Sequence, residues 1–134
     1  MRKTNLRGRD FSESDRRTVK FISSFLTDIG VPRHYSGHVY FTYALFLVKE
    51  NPDSLHHVTK EVYPVVADKF GISPLNVERN MRNALEAAWR KNDILRYPEL
   101  FISSYLKTDA RPSNTEFMNA VMEMIDFMDE GKRL

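Results

Sequence analysis

The sequence predicts an all-α protein of about six helices with a helix-turn-helix at its centre. Three observations carry that expectation. Apolar residues recur every three or four positions in several separate stretches, and none alternates as a strand would. Serine, proline and glycine punctuate these stretches where helices start and stop. Between residues 65 and 91 two such stretches meet across a short turn containing Gly71.

The chain begins with a polar stretch. Residues 1–13 hold Arg2, Lys3, Arg7 and Arg9 with little apolar content, and are expected as a mobile basic arm that can follow a DNA backbone. Residues 14–130 are expected as a single helical domain. Ser12 or Ser14 can cap its first helix, with Asp15 in the first turn. Val19, Ile22, Phe25, Leu26 and Ile29 then mark one face of a helix ending at Gly30. Val31-Pro32 breaks the chain.

Residues 38–51, HVYFTYALFLVKEN, are apolar on nearly every side. The run falls short of the roughly 20 residues that span a bilayer, so it predicts a buried central helix. Asn51-Pro52-Asp53 ends it. Val62, Tyr63, Val65, Val66 and Phe70 form the next apolar face. Pro64 within it predicts a helix that starts near Thr59 or kinks there.

Gly71 suits a left-handed helix end, Ser73 is a good N-cap and Pro74 fits the first helical position. A helix over residues 74–91 follows. Ile94 to Leu106 predicts one or two short helices interrupted at Pro98. Ser113-Asn114-Thr115-Glu116 is a capping box opening a last helix, with Phe117, Val121, Met124, Ile125 and Met128 on its apolar face.

Composition narrows the function classes. The chain has 134 residues, 42% hydrophobic and 28% charged, with a net charge of +2. This is the profile of one ordinary globular domain, and any nucleic-acid affinity must come from local clustering of charge. With no cysteine there is neither a disulfide nor a cysteine-based zinc site. The N-terminus lacks the apolar core of a secretory signal, and a cytoplasmic, membrane-free protein is expected. His34, His38, His56 and His57 lack metal-ligand spacing. No phosphate loop, nucleophile elbow or split carboxylate pair is present, so neither cofactor, metal nor catalysis is expected.

On the helix over 74–91, Val77, Met81, Ala84, Leu85 and Ala88 fall on one arc and should face a core. The opposite arc carries Asn76, Glu78, Arg79, Arg82, Asn83, Glu86 and Arg90. Two readings fit that arc. It is a solvated face with pairs Glu78–Arg82 and Glu86–Arg90, or it is a base-reading face, since Arg and Asn bond guanine and adenine edges and Glu accepts from cytosine. The turn chemistry favours the second reading, with this helix in the major groove. Thr59 and Lys60 can meet a phosphate, and Ser73, Arg90 and Lys91 complete the expected backbone contacts.

Several runs together resemble a known family. Ile29-Gly30-Val31-Pro32, Thr59-Lys60 with Val62-Tyr63-Pro64, Val77-Glu78-Arg79 with Arg82, Ala84 and Ala88-Trp89, and Arg111-Pro112 before Asn114 and Glu116-Phe117 carry the likeness. The chain resembles, over roughly residues 20–128, the C-terminal effector domain of the sporulation initiation response regulator of endospore-forming bacteria. The resemblance implies an all-helical domain that binds double-stranded promoter DNA and regulates transcription. It implies base reading by Glu78, Arg79 and Arg82, with Asn83 and Asn76 as further readers. It also implies contact with the polymerase sigma subunit around residues 91–106. The resemblance also implies an N-terminal receiver domain in family members; about 20 residues precede the likeness here, and the expectation is either a receiver cut away or a receiver-less relative.

The near-neutral charge predicts weak monomer affinity, hence a dimer on tandem sites. The alternative is a helical protein-interaction adaptor, using the aromatic middle helix and the methionine-rich last helix as its surface.

Overall fold

In the computed structural model residues 6–91 and 111–133 are described, with side chains up to Met128. Among them are five α-helices and no strand: α1 Glu13–Asp28, α2 Ser36–Glu50, α3 Tyr63–Phe70, α4 Pro74–Arg90 and α5 Asn114–Arg133. The all-α expectation holds. The short helices expected between Ile94 and Leu106 lie outside the described residues.

Local chemistry sets most of the boundaries. Ser12 Oγ accepts the Asp15 backbone N–H while Asp15 accepts the Ser12 N–H, a reciprocal cap that starts α1. Gly30 adopts φ 104° just past its end, and Val31 N–H closes back to Leu26 O at 2.9 Å. The α5 cap is also reciprocal: Ser113 N–H donates to Glu116 Oε1 at 2.8 Å, and Glu116 N–H to Ser113 Oγ at 3.1 Å.

α2 is the central helix. Phe41, Ala44, Leu45, Phe46, Leu47 and Val48 are all buried. α1 and α4 both pack on it, α3 lies along α4, and α5 closes the assembly against α2 and α4. Each fully buried Leu, Ile or Phe in this core contributes about 1.5–3 kcal/mol through removal of apolar surface from water. Much of the surface that the adaptor alternative would use is interior: Phe41, Phe46, Met118 and Met122 are buried.

Gly37 sets the spacing of α2 on α4. A Cβ there would collide with the Asn80 carbonyl and sit 2.8 Å from Ala84 Cβ. Only a residue without a side chain permits this close approach.

The approach to α3 differs from the expected single helix. A 3-10 turn runs over Pro52–His57 and a π-turn over Val58–Val62 before α3 begins at Tyr63. The cause is Pro64, which has no N–H and whose ring would meet the carbonyl four residues back, at Lys60. The backbone widens instead, and Tyr63 N–H reaches Val58 O.

From Leu6 onward the stretch expected as a mobile arm packs on the domain. Leu6 is 1% exposed. The Arg9 guanidinium grips Glu50 at 2.9 and 2.6 Å and Asp15 at 3.1 Å. The Phe11 ring lies 5.5 Å from Phe46 and 6.1 Å from Tyr43. The arrangement ties the segment to the start of α1 and the end of α2. Desolvation opposes charge on Asp15, but the Ser12 N–H and Arg9 outweigh it and hold the carboxyl below its ordinary range.

Candidate nucleic-acid interface

The turn before α4 follows from its residues. Gly71 takes φ 67° and ψ 34°, the left-handed conformation that ends α3, and Ile72 N–H closes to Ala67 O at 3.1 Å. Ser73 Oγ then accepts the Asn76 N–H at 3.1 Å, and Pro74 occupies the first helical position. Gly71, Ile72 and Ser73 thus join two helices that pack on one another.

α4 divides as its periodicity predicts. Val77, Met81, Ala84, Leu85 and Ala88 are buried, and Ala87 joins them. Asn76, Arg79, Asn83, Glu86, Arg90 and Lys91 form the outward side of the helix and its end. Arg79 engages no carboxylate among the described residues, so its planar fork of donors is presented to solvent. Asn76 uses its backbone carbonyl to accept Asn80 Nδ2 at 2.8 Å, leaving its own amide outward.

Glu78 and Arg82 lie on the flank of this arc and hold each other. Arg82 Nε donates to Glu78 Oε2 at 3.0 Å and a terminal nitrogen to Oε1 at 3.2 Å. The Glu78 carboxylate raises the Arg82 guanidinium above its ordinary value through these bonds and its charge. Such a solvent-facing pair is screened by water and ions and opens readily toward a stronger partner. The second expected pair does not form: no ion pair joins Glu86 and Arg90 among the described residues.

The expected backbone set is spread around α4. Ser73 stands at its N-cap, and its hydroxyl hydrogen remains able to donate. Arg90 and Lys91 stand at its far end. Thr59 and Lys60 are exposed on the π-turn, not at the start of a regular helix.

Two further residues lie on or against α4 that sequence reasoning did not assign to its outer arc. Leu75 is 63% exposed on the first turn of α4, four residues before Arg79. Its signal was an apolar side chain on a polar arc. Asn114, at the start of α5, is 5% exposed. Its Nδ2 donates to Tyr63 Oη at 3.3 Å and to the Glu78 carbonyl at 3.1 Å, joining α3, α4 and α5 at one point. Burial pushes the Tyr63 hydroxyl up, so it stays neutral and able to share this bond.

Residues 22–125 match the protein family described as sporulation initiation factor Spo0A C terminal. The chain belongs to that family. The match starts inside α1, includes all of α2, α3 and α4, and ends within α5. DNA-binding transcription regulation in sporulation, as the effector part of a response regulator, is the work of the Spo0A C-terminal family. The resemblance carried by the Val77–Trp89 and Arg111–Phe117 runs is thereby borne out. Among the described residues no group of His, Asp and Glu is placed to hold a metal ion, and no helix is long and apolar enough to cross a membrane.

Proposed function

We propose that this Spo0A C-terminal domain is a sequence-specific transcription regulator acting in the cytoplasm, with α3, the Gly71–Ser73 turn and α4 as its helix-turn-helix. The recognition helix, residues 74–91, enters the major groove of promoter DNA. The observation that carries this reading is the outer arc of α4, where Arg79, Asn76 and Asn83 face outward behind a capped helix start. Arg79 is assigned to guanine, Asn76 and Asn83 to adenine edges. Glu78 and Arg82 exchange their mutual bonds for base edges, with Glu78 accepting from cytosine. Leu75 offers an apolar contact to a thymine methyl group. Thr59, Lys60, Ser73, Arg90 and Lys91 contact the phosphate backbone, fixing orientation rather than sequence.

Gel-shift titration of a cognate duplex tests the assignment. Arg79→Ala and Arg82→Ala are each expected to narrow the preference for that duplex over a scrambled one by about 1–3 kcal/mol, while Lys60→Ala weakens both duplexes equally. Unchanged preference in both arginine variants sinks the reading. Pairing of two domains on tandem sites belongs to the same proposal, because a net charge of +2 makes one domain a weak binder. Contact with a polymerase sigma subunit around residues 91–106 rests on the family likeness, and residues 92–106 lie outside those described.

A further inference from the structure

A cleft of about 740 Å³ opens on the side of the molecule built by the N-terminal segment, α1, α2 and the end of α3. Its cations are Arg16, Lys20, Arg33 and Lys69, together with Arg9. Arg9 is already neutralised by Glu50 and Asp15. The other four form no ion pair among the described residues. Asp10 is the single acid in the lining.

Two of these cations are held in place. Lys69 Nζ lies 4.8 Å from the Tyr43 ring centroid and 5.5 Å from that of Phe11, within cation–π range. An Arg33 terminal nitrogen reaches Ser23 Oγ at 3.4 Å. Arg16 and Lys20 are exposed and one turn apart on α1. Phe11, Val19 and Tyr43 supply half-buried apolar surface between the charges.

We infer that this cleft is a docking site for an acidic segment of a partner protein, anchored by an apolar side chain. Charge complementarity selects an anion, since an acidic segment meets four cations that form no ion pair among the described residues, with Asp10 the one acid of the lining. The apolar surface selects a polypeptide over a phosphate backbone, because a duplex edge offers nothing to bury against Phe11, Val19 and Tyr43. Position agrees, since α2 stands between α1 and α4, and the cleft is thus separate from the outer arc of α4. Arg9, Phe11, Arg16, Val19 and Lys20 all precede Ile22, outside the stretch that matches the family. With Asp10, six of the eleven lining residues thus precede the matched stretch, and the cleft stands whether or not α4 reads DNA.

Selection of a displayed random-peptide library on the full chain, followed by fluorescence anisotropy with the enriched peptides, tests the inference. Arg16→Glu with Lys20→Glu is the variant of choice, because both side chains are exposed and form no ion pair among the described residues; a melting curve checks that it folds. Enriched peptides are expected to be rich in Asp and Glu around at least one apolar residue. Their affinity is expected to fall roughly tenfold or more in the variant, and to fall again when the apolar residue becomes serine. Duplex affinity is expected to stay the same. Absence of acidic enrichment, or equal binding by the variant, overturns the inference. A variant that loses duplex affinity but not peptide affinity makes the cleft a DNA surface and overturns it too. So does self-association in sedimentation velocity that the variant abolishes, which would seat a second copy there through exposed Glu123, Asp126 and Phe127.

Discussion

Arg79 is the side chain on which the proposed reading turns, because among the described residues it has no carboxylate to leave before meeting a base. A good bidentate base contact is worth about 1–3 kcal/mol of discrimination, so Arg79→Ala should lose that much preference at one position of the site, measured by competition titration against single-base variants. Arg79→Lys should not restore it, since an ammonium is a point charge without the planar fork. His38 makes a separate, testable point. Its ring is buried, and because the Thr27 hydroxyl donates to Ser23 O, the ring N–H at Nε2 donates to Thr27 Oγ1 at 3.1 Å. Burial, helped by the charge of Arg33, pushes the imidazole below its ordinary value. On acidification the unfolded chain therefore takes up the extra proton first. The stability from neutral His38 is complete above about pH 6.5 and declines as pH falls from there through the lowered folded value. Thermal melts at intervals between about pH 7.5 and 5.0 should show a steeper fall of Tm in the wild type than in His38→Gln, and equal slopes would remove His38 as the cause.

The helices show which local structure is legible in sequence and which is not. The caps at Ser12, Ser73 and Ser113 and the left-handed end at Gly71 are written in residues three or four apart, and each forms as its residues predict. The buried face of α4 follows from its period for the same reason. The π-turn at Val58–Val62 was only partly legible: Pro64 announces a break, but not how the backbone absorbs it. Pairings between distant residues were not legible at all. Arg9 meets Glu50 across 41 positions, and Asn114 meets Glu78 across 36. The sequence therefore suggested a free arm where Leu6 and Phe11 pack, and held no sign that α5 touches α4. Asn114→Ala removes that link and leaves the Tyr63 hydroxyl without its amide neighbour. A cost of about 1–3 kcal/mol is expected in urea unfolding, as for other buried groups deprived of a hydrogen bond. Gly37→Ala tests helix spacing directly. Overpacking typically costs about 1–3 kcal/mol, and the Asn80 collision is with backbone that cannot swing aside, so the upper end or more is expected. A neutral Gly37→Ala would mean that α2 and α4 are less close than described.

At the scale of the molecule, one small core presents two different surfaces. The outer arc of α4 lies within the family match, and the cationic cleft is built mostly before it. α2 links them mechanically, since α1 and α4 both pack on it. A protein of net charge +2 cannot rely on its overall field to find DNA, so its affinity must be local and moderate. The log–log slope of affinity against salt should accordingly be shallow, and Lys60→Ala should reduce its magnitude by about 0.9, because one phosphate is no longer neutralised. The central claim is that α4 reads sequence. Selection of random duplexes by the purified wild-type chain and by Arg79→Ala in parallel tests it most directly. The account predicts one enriched motif for the wild type and relaxed preference at one of its positions for the variant. No enrichment by the wild type, or the same motif at the same strength from both, would contradict it.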